Sequence, residues 1–177
     1  HKGLQNTDLG LANEMAINQF IAHHSVIFQP EKRLMWVSTS PWQCGKYVAY
    51  DLNKIFKDTI DWQHEIYSSD LTIPEDKFID TPEFQHLLTY KKLTPLLLKK
   101  IRKKEQIEES VLKTYQASNP SLYYVYEVIG DYYEAMQQSK QAIAYWQQAL
   151  KKSIPKLQEK ERIQQKIQKQ SKDGKES

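Results

Sequence analysis

The sequence has little cysteine, glycine and proline, and it has no long hydrophobic run. Cys44 is the single cysteine among 177 residues, which excludes an internal disulfide bond and a zinc site built from several cysteines. Five glycines and seven prolines are too few for a fold that consists mainly of turns. The mean hydropathy is −0.72, and no apolar stretch approaches the roughly 20 residues of a bilayer-spanning helix. These absences argue against a disulfide-stabilised scaffold and against a membrane span.

The charge of the chain is nearly balanced. Lysine and arginine total 25 residues against 22 aspartates and glutamates, which gives a formal net charge of +3. Basic residues concentrate at 91–92 and 99–104, a pattern that also occurs in proteins that bind nucleic acid or anionic lipid. Glu105, Glu108 and Glu109 follow at once, and mixed charge within one turn favours a solvated helix face. We therefore predict no nucleic-acid partner.

Residues 1–60 carry a pattern that predicts a β segment. Segments 25–29 and 34–38 are rich in β-branched and aromatic residues and are separated by a short turn, which is typical of a β-hairpin. Segment 46–52 predicts a third strand. Both strands of the hairpin are apolar at nearly every position, as in a sheet that is covered on both faces.

The predicted strands carry more apolar surface than the other predicted elements of residues 1–60 can bury. A short helix that starts at Asn13 and runs toward Phe20 is the only helix expected beside these strands. Three strands and one short helix are too few to cover two sheet faces. We therefore expect the missing layers to belong to residues upstream of His1.

The second half of the chain is predicted to be helical. Residues 61–80 form a linker without sustained periodicity, and residues 81–177 form an all-helical tail. Thr81 and Pro82 are suited to the N-cap and the first position of a helix that continues through Leu88.

Two further helices follow in this pattern. One segment is predicted from about Thr94-Pro95 to Lys104, and another over 105–117, where apolar residues recur at helical spacing. Asn119-Pro120 is expected to end the latter.

The spacing of apolar and small residues over 123–156 resembles one tetratricopeptide repeat, a helix pair of about 34 residues. The packing positions of that repeat fall on Tyr126, Ile129, Gly130, Tyr133, Ala142, Trp146 and Ala149. Small residues at Gly130 and Ala142 allow the two helices to approach closely. Segment 156–172 has one apolar stripe among charges and is predicted to be a capping helix. Such a unit either braces the fold or binds a peptide or protein partner.

The β segment carries two motifs that resemble a known family. The strings HSVIF at 24–28 and MWVS at 35–38 occur in this order and are followed by a helical tail. Residues 16–56 are similar to the final segment of bacterial proteins in the acyl-coenzyme A:6-aminopenicillanic acid acyltransferase family. These proteins are N-terminal-nucleophile hydrolases, and some members carry a helical tail with a tetratricopeptide-like unit.

The resemblance implies a four-layer αββα sandwich and a self-cleaving precursor. Cleavage in that family exposes an N-terminal cysteine, whose thiol attacks an amide while its own α-amine acts as the base. His1 does not match that cysteine, so no catalytic residue is assigned in this chain and the nucleophile is expected upstream. The partner implied is the upstream part of the same polypeptide, and the fragment alone is expected to be inactive.

Three local features suggest chemistry, each with a simpler alternative. Cys44 with His23 and His24 resembles a Cys–His pair, but a small buried thiol is the commoner case. Adjacent histidines in an extended strand point to opposite faces, so we predict no metal site. Trp42 and Tyr47 are candidates for the wall of an acyl pocket, or they pack the loop onto the core.

The sequence as a whole predicts an α+β fold. It consists of the terminal β-hairpin and strand segment of an αββα sandwich, followed by a helical tail with one tetratricopeptide-like helix pair and a capping helix. The first functional hypothesis is the C-terminal part of an amide-bond hydrolase or acyltransferase that needs no cofactor. The alternative is a non-catalytic helical interaction module. The unpaired edge of the sheet also offers a route to a homo-oligomer.

Overall fold

The computed structural model of the protein describes residues 8–16, 20–57 and 66–173. These residues form two compact units. The β unit consists of the described residues of 20–84, and the helical unit consists of those of 1–19 and 85–177. The predicted mixed α+β class is confirmed, since the described residues contain a four-stranded antiparallel sheet and six helices.

The sheet is an antiparallel meander. Its strands are β1 (Val26–Gln29), β2 (Leu34–Ser38), β3 (Tyr47–Asp51) and β4 (Ser68–Ile73), and they lie side by side in chain order. The hairpin and the third strand are where the sequence predicts them. The fourth strand lies within residues 61–80, so the linker interpretation does not hold for this part of the chain.

The sequence pattern of β4 does not predict a strand, and the structure shows why. Its pairing with β3 contains a register irregularity between Tyr47 and Ala49, and most of its residues are exposed. A strand of this kind shows neither regular alternation nor a continuous apolar run.

The pairing register places the strand residues on two faces. Ile27 lies opposite Trp36, which lies opposite Ala49, and Ala49 is fully buried. The residues that β1, β2 and β3 place on the other face are apolar or aromatic: Val26, Phe28, Met35, Val37, Val48 and Tyr50. None of these six is buried, and Phe28 is 64% exposed. We call this second set the open face.

Aromatic rings form the packed end of the β unit. Phe20 stacks on Phe78 with ring centroids 5.3 Å apart, and Phe78 meets the edge of Phe84 at 5.8 Å. Phe20 and Phe84 are both buried. A one-turn helix, α1 (Leu52–Ile55), follows β3 and is capped by Asp51, whose carboxylate accepts a hydrogen bond from the backbone N–H of Asn53.

The remaining helices follow in chain order. They are α2 (Pro82–Arg102), α3 (Glu109–Ser118), α4 (Tyr123–Ala135), α5 (Ser139–Leu150) and α6 (Leu157–Asp173). None of the helices within the described residues is both long and apolar enough to cross a lipid bilayer.

Helix α2 is one continuous element, so the predicted division before Pro95 is wrong. Thr81 caps its start as expected, because its hydroxyl oxygen accepts a hydrogen bond from the backbone N–H of Phe84 at 3.3 Å. Tyr90 stacks on Tyr115 of α3 with centroids 5.7 Å apart, and the hydroxyl of Thr94 lies 3.1 Å from that of Tyr115. These contacts before Pro95, together with the buried side chain of Leu97 after it, outweigh the loss of one backbone hydrogen bond.

Helix α3 begins at Glu109, later than the predicted start at 105. The backbone of Lys104 is left-handed, with φ of 55°, and the N–H of Glu105 donates to the carbonyl of Lys100. This closing pattern ends α2 and leaves residues 105–108 outside either helix.

Helices α4 and α5 form a hairpin around Trp146. A Cβ atom on Gly130 would overlap the Trp146 indole, so the closeness of the two helices depends on glycine. Tyr133 stacks on Tyr145 with centroids 5.4 Å apart. All predicted packing residues are buried: Tyr126, Ile129, Gly130, Tyr133, Ala142, Trp146 and Ala149.

Helix α6 lies along α4 with a nearly constant offset in sequence. The paired residues are Tyr123 with Glu159, Glu127 with Arg162, Asp131 with Lys166, and Glu134 with Gln170. Their separations are 36, 35, 35 and 36 residues. Because both numbers rise together, α6 runs parallel to α4.

The predicted helix after Asn13 is wrong within the described residues, and residues 17–19 lie outside them. The Asn13 amide donates to the carbonyls of Leu9 and Ser153, both at 3.1 Å. The Asn119 amide donates to the carbonyl of Leu11 at 2.7 Å. These side-chain bonds to the backbone hold the segment as turns against the helical unit, where a helix cap was expected.

The α4–α5 packing predicts that two leucine substitutions on α5 differ in their effect on stability. Ala142→Leu is expected to lower the free energy of unfolding by about 1–3 kcal/mol, because Ala142 is fully buried and has no room for added carbons. Ala144→Leu is the matched control on the exposed side of α5 and should change it by less than about 0.5 kcal/mol. Urea denaturation followed by circular dichroism measures both. Equal midpoints would contradict the packing described here.

Candidate functional site

The loop between β2 and β3 carries the candidate residues of the β unit. Gly45 is buried, and a Cβ atom there would overlap the backbone carbonyls of Thr39 and Ser40. The N–H of Thr39 donates to the carbonyl of Lys46 at 2.8 Å. The loop is therefore closed tightly on itself at its base.

The structure places Trp42 and Tyr47 against different neighbours. Trp42 has a left-handed backbone, with φ of 49°, and its ring meets Phe84 edge-on with centroids 6.2 Å apart. Tyr47 is half-buried in β3, opposite Ile73 of β4. The Trp42 contact supports the packing alternative for this residue. That either residue lines an acyl pocket stays a prediction.

Cys44 is a buried thiol. Its N–H donates to the carbonyl of Pro41 at 3.0 Å, and its own carbonyl accepts a hydrogen bond from the N–H of Asp76 at 2.8 Å. Burial, assisted by the charge of Asp76, raises the pKa of the thiol. A raised pKa keeps the sulfur protonated at neutral pH, which is the opposite of what a nucleophilic cysteine requires.

The described residues contain no group of three or more His, Cys, Asp or Glu side chains placed to hold a metal ion. His23 and His24 are both exposed.

A second site in the helical unit was not predicted from the sequence. Glu127 of α4 is only 2% exposed, and its carboxylate accepts two hydrogen bonds from Arg162, at 3.0 and 2.9 Å. Lys166 donates to the same carboxylate at 2.9 Å and to Asp131 at 2.7 Å. We call Glu127, Asp131, Arg162 and Lys166 the charged cluster.

Asp131 joins the charged cluster to the core. Its carboxylate also accepts a hydrogen bond from the Trp146 indole N–H at 2.9 Å. Burial raises the pKa of Asp131, although the charge of Lys166 acts in the opposite direction. Burial lowers the pKa of Lys166, but Asp131 and Glu127 outweigh it, so this pKa is raised overall. Lys166 is therefore charged at neutral pH, as the ion pairs require.

An open groove of about 490 Å³ lies beside the charged cluster. The residues that line it come from α2, α4 and α6 and from the turns that follow α2 and α4: Ile101, Lys104, Asp131, Glu134, Ala135, Gln137 and Lys166. Its wall carries two lysines, an aspartate and a glutamate, although more of its exposed surface is apolar than polar. Such a groove suits a ligand that has both charged and apolar groups.

One signal in the sequence points to the charged cluster. Helix α4 reads YYVYEVIGDYYEA, in which Glu127 and Asp131 are spaced by four residues on one face of an otherwise apolar and aromatic helix. A buried acid in such a helix requires a cationic partner. The sequence alone does not indicate where the partner lies, because Arg162 and Lys166 are 35 residues further along the chain.

Comparison of the chain with protein-family models, with curated proteins and with solved structures finds no match. The function therefore has to be inferred from the sequence motifs and from the geometry of the two units.

The state of Cys44 is open to a direct chemical test. In the native protein at mildly alkaline pH, the thiol is expected to react with the disulfide reagent DTNB at least about tenfold more slowly than in the urea-unfolded chain, because it is buried and its pKa is raised. The unfolded chain is the internal control. Equal rates in the two states would contradict the assignment of a structural thiol.

The charged cluster predicts a large cost for removing its buried acid. Glu127→Ala is expected to lower the free energy of unfolding by about 2–4 kcal/mol, since two cations lose a buried partner. Glu161→Ala, which removes an exposed acid from α6, should change it by less than about 0.5 kcal/mol. Denaturant titration measures both, and a similar small effect for the two variants would mean that α6 is not held through Glu127.

Proposed function

We propose that this chain supplies the C-terminal β segment of an amide-bond hydrolase or acyltransferase of the N-terminal-nucleophile class, with the helical unit as its tail. The observation that carries the proposal is the open face, an apolar sheet face on which no residue is buried. The resemblance of segments 24–28 and 35–38 to the acyltransferase family is the reason for proposing this kind of domain.

The open face has the composition of an interior surface. Val26 is 43% exposed and Phe28 is 64% exposed, and every residue that β1, β2 and β3 place on this face is apolar or aromatic. A sheet that faces water normally alternates apolar with polar residues, whereas a sheet between two layers is apolar on both sides. Ile27, on the other face of β1, is also 41% exposed. Strand β1 therefore exposes apolar side chains on both of its faces.

The backbone of β1 supports the same interpretation. Within the described residues it pairs only with β2, so its outer edge presents backbone donors and acceptors. Exposed apolar edge strands are an aggregation hazard, and folded proteins cover or pair them. In an αββα sandwich, a further strand would pair with this edge and a second layer would pack on the open face.

The proposed chemistry uses a nucleophile from upstream in the same polypeptide. The thiol of an N-terminal cysteine adds to the carbonyl carbon of an amide, and its proton passes to the α-amine of the same residue. The C–N bond breaks, the amine leaves with a proton, and an acyl thioester remains. Water or another amine then attacks the thioester carbonyl, the C–S bond breaks, and the acceptor's proton returns to the thiol. Cys44 takes no part in this scheme, because it is internal, buried and protonated.

A helical interaction module is the second candidate function. It is favoured by the parallel arrangement of α4 and α6, whose offset of 35 or 36 residues is close to the repeat length of a tetratricopeptide array of about 34 residues. In such arrays the first helices of successive repeats line one surface, which binds peptides. The groove beside Lys166 is lined in part by α4 and α6, and we expect such a ligand to bind there.

Expression of the complete native gene distinguishes the two functions. We expect intact-mass analysis under denaturing conditions to show two chains that copurify, one of which begins with cysteine. A single chain that instead contains further helical repeats would overturn the hydrolase proposal and leave the interaction module.

Variants within this chain sharpen that experiment. Phe28→Lys on the open face should abolish copurification of the two chains, since it places a charge in the proposed interface between layers. Leu157→Lys is the matched control, because Leu157 is also an exposed apolar residue but lies on α6. Loss of copurification with both variants, or with neither, would contradict a role of the open face in assembly.

A further inference from the structure

Helix α2 exposes a strongly basic surface. Residues 85–104 contain six lysines and one arginine and no acidic residue. Seven exposed residues lie within one broad stripe of the helix and its C-terminal end: Leu88, Lys92, Leu96, Lys99, Lys100, Arg102 and Lys103. We call them the basic stripe. The opposite side of α2 is apolar and packs inward, where Leu87 and Leu97 are buried.

The acidic residues that follow in sequence pair with only one of the five cations of the basic stripe. Helix α2 ends at Arg102, and Glu109 belongs to α3, where it pairs with Lys113 at 3.4 Å. Lys103 forms an exposed ion pair with Glu105 at 3.5 Å. Among the described residues, the structure shows no carboxylate within ion-pair distance of the other four cations. The solvent-exposed helix face expected from the sequence is therefore mainly cationic.

Two leucines lie within this cationic surface. Leu88 is 36% exposed and Leu96 is 50% exposed. They flank Lys92 at intervals of four residues, so all three lie on one side of the helix. A stabilising interaction of basic residues with the negative end of the helix dipole accounts for cations in the last turn. It does not account for Lys92 or for the exposed leucines.

We propose that the basic stripe binds the surface of an anionic lipid bilayer, with α2 lying along the membrane plane. The lysines and Arg102 would face anionic headgroups, and Leu88 and Leu96 would enter the boundary between headgroups and acyl chains. This inference does not depend on the hydrolase proposal.

The exposed Leu88 and Leu96 favour lipid over nucleic acid as the ligand of the basic stripe. A phosphodiester backbone attracts the cations but has no favourable contact for exposed leucine. Single-stranded nucleic acid usually stacks on exposed aromatic rings. The tyrosine of segment 85–104, Tyr90, instead stacks on Tyr115 in the core, and burial raises its pKa to about 12.

Vesicle binding tests the proposal on the full 177-residue chain. The chain should sediment with vesicles of phosphatidylcholine mixed with phosphatidylserine, not with phosphatidylcholine alone, and high salt should weaken binding. The triple variant Lys92→Glu, Lys99→Glu, Lys100→Glu should bind at least about tenfold more weakly. The matched control, Lys160→Glu, Lys169→Glu, Lys172→Glu, makes the same change in net charge on exposed positions of α6 and should bind within about threefold of the parent chain.

A second pair of variants separates lipid from nucleic acid. Leu96→Ser should weaken vesicle binding, whereas Leu157→Ser, at an exposed leucine of α6, should leave it unchanged. Circular dichroism confirms that each variant is folded. Failure to bind phosphatidylserine vesicles, or equal weakening by the two triple variants, would overturn the proposal. Tighter binding to a DNA oligonucleotide that is unaffected by Leu96→Ser would overturn it in favour of nucleic acid.

Discussion

The helical unit depends on the position of Trp146. Its ring fills the space that Gly130 leaves open between α4 and α5, and its indole N–H binds Asp131. Asp131 in turn binds Lys166 of α6, whose ammonium group lies 5.8 Å from the centre of the indole ring. One side chain therefore connects the close packing of a helix pair to the charges that attach the third helix. Because the ring is fully buried, both connections lie inside the core of the helical unit.

The sequence predicted those features that depend on local pattern. The hairpin was found from its β-branched residues, and the α4–α5 pair from the small residues Gly130 and Ala142. It did not predict features that depend on distant contacts. Pro95 was interpreted as a break, but packing of Tyr90 against Tyr115 keeps α2 continuous. The charged cluster was missed because its two halves are 35 residues apart, which no short window contains.

The two units carry different kinds of incomplete surface. In the β unit the open face is apolar, so packing of another layer of protein on it would remove this apolar surface from water and stabilise the fold. In the helical unit the basic stripe is charged and carries only two exposed leucines, so it suits a partner that is anionic and only partly apolar.

Strand β4 shows a further limit of sequence analysis, since its irregular pairing with β3 conceals the periodicity by which strands are recognised.

The constant offset between α4 and α6 fixes the way in which the last helix can dock. Each residue of advance turns an α-helix by about 100°, so a slip of one position would carry the partners of Tyr123, Glu127, Asp131 and Glu134 away from α4 together. Ile163, which is fully buried, would leave the core in the same step. The side-chain bonds to α4 thereby fix the register of a helix of low hydropathy, which an apolar surface alone would not specify. A change in the length of the connection between α5 and α6 would act on all of these bonds at once.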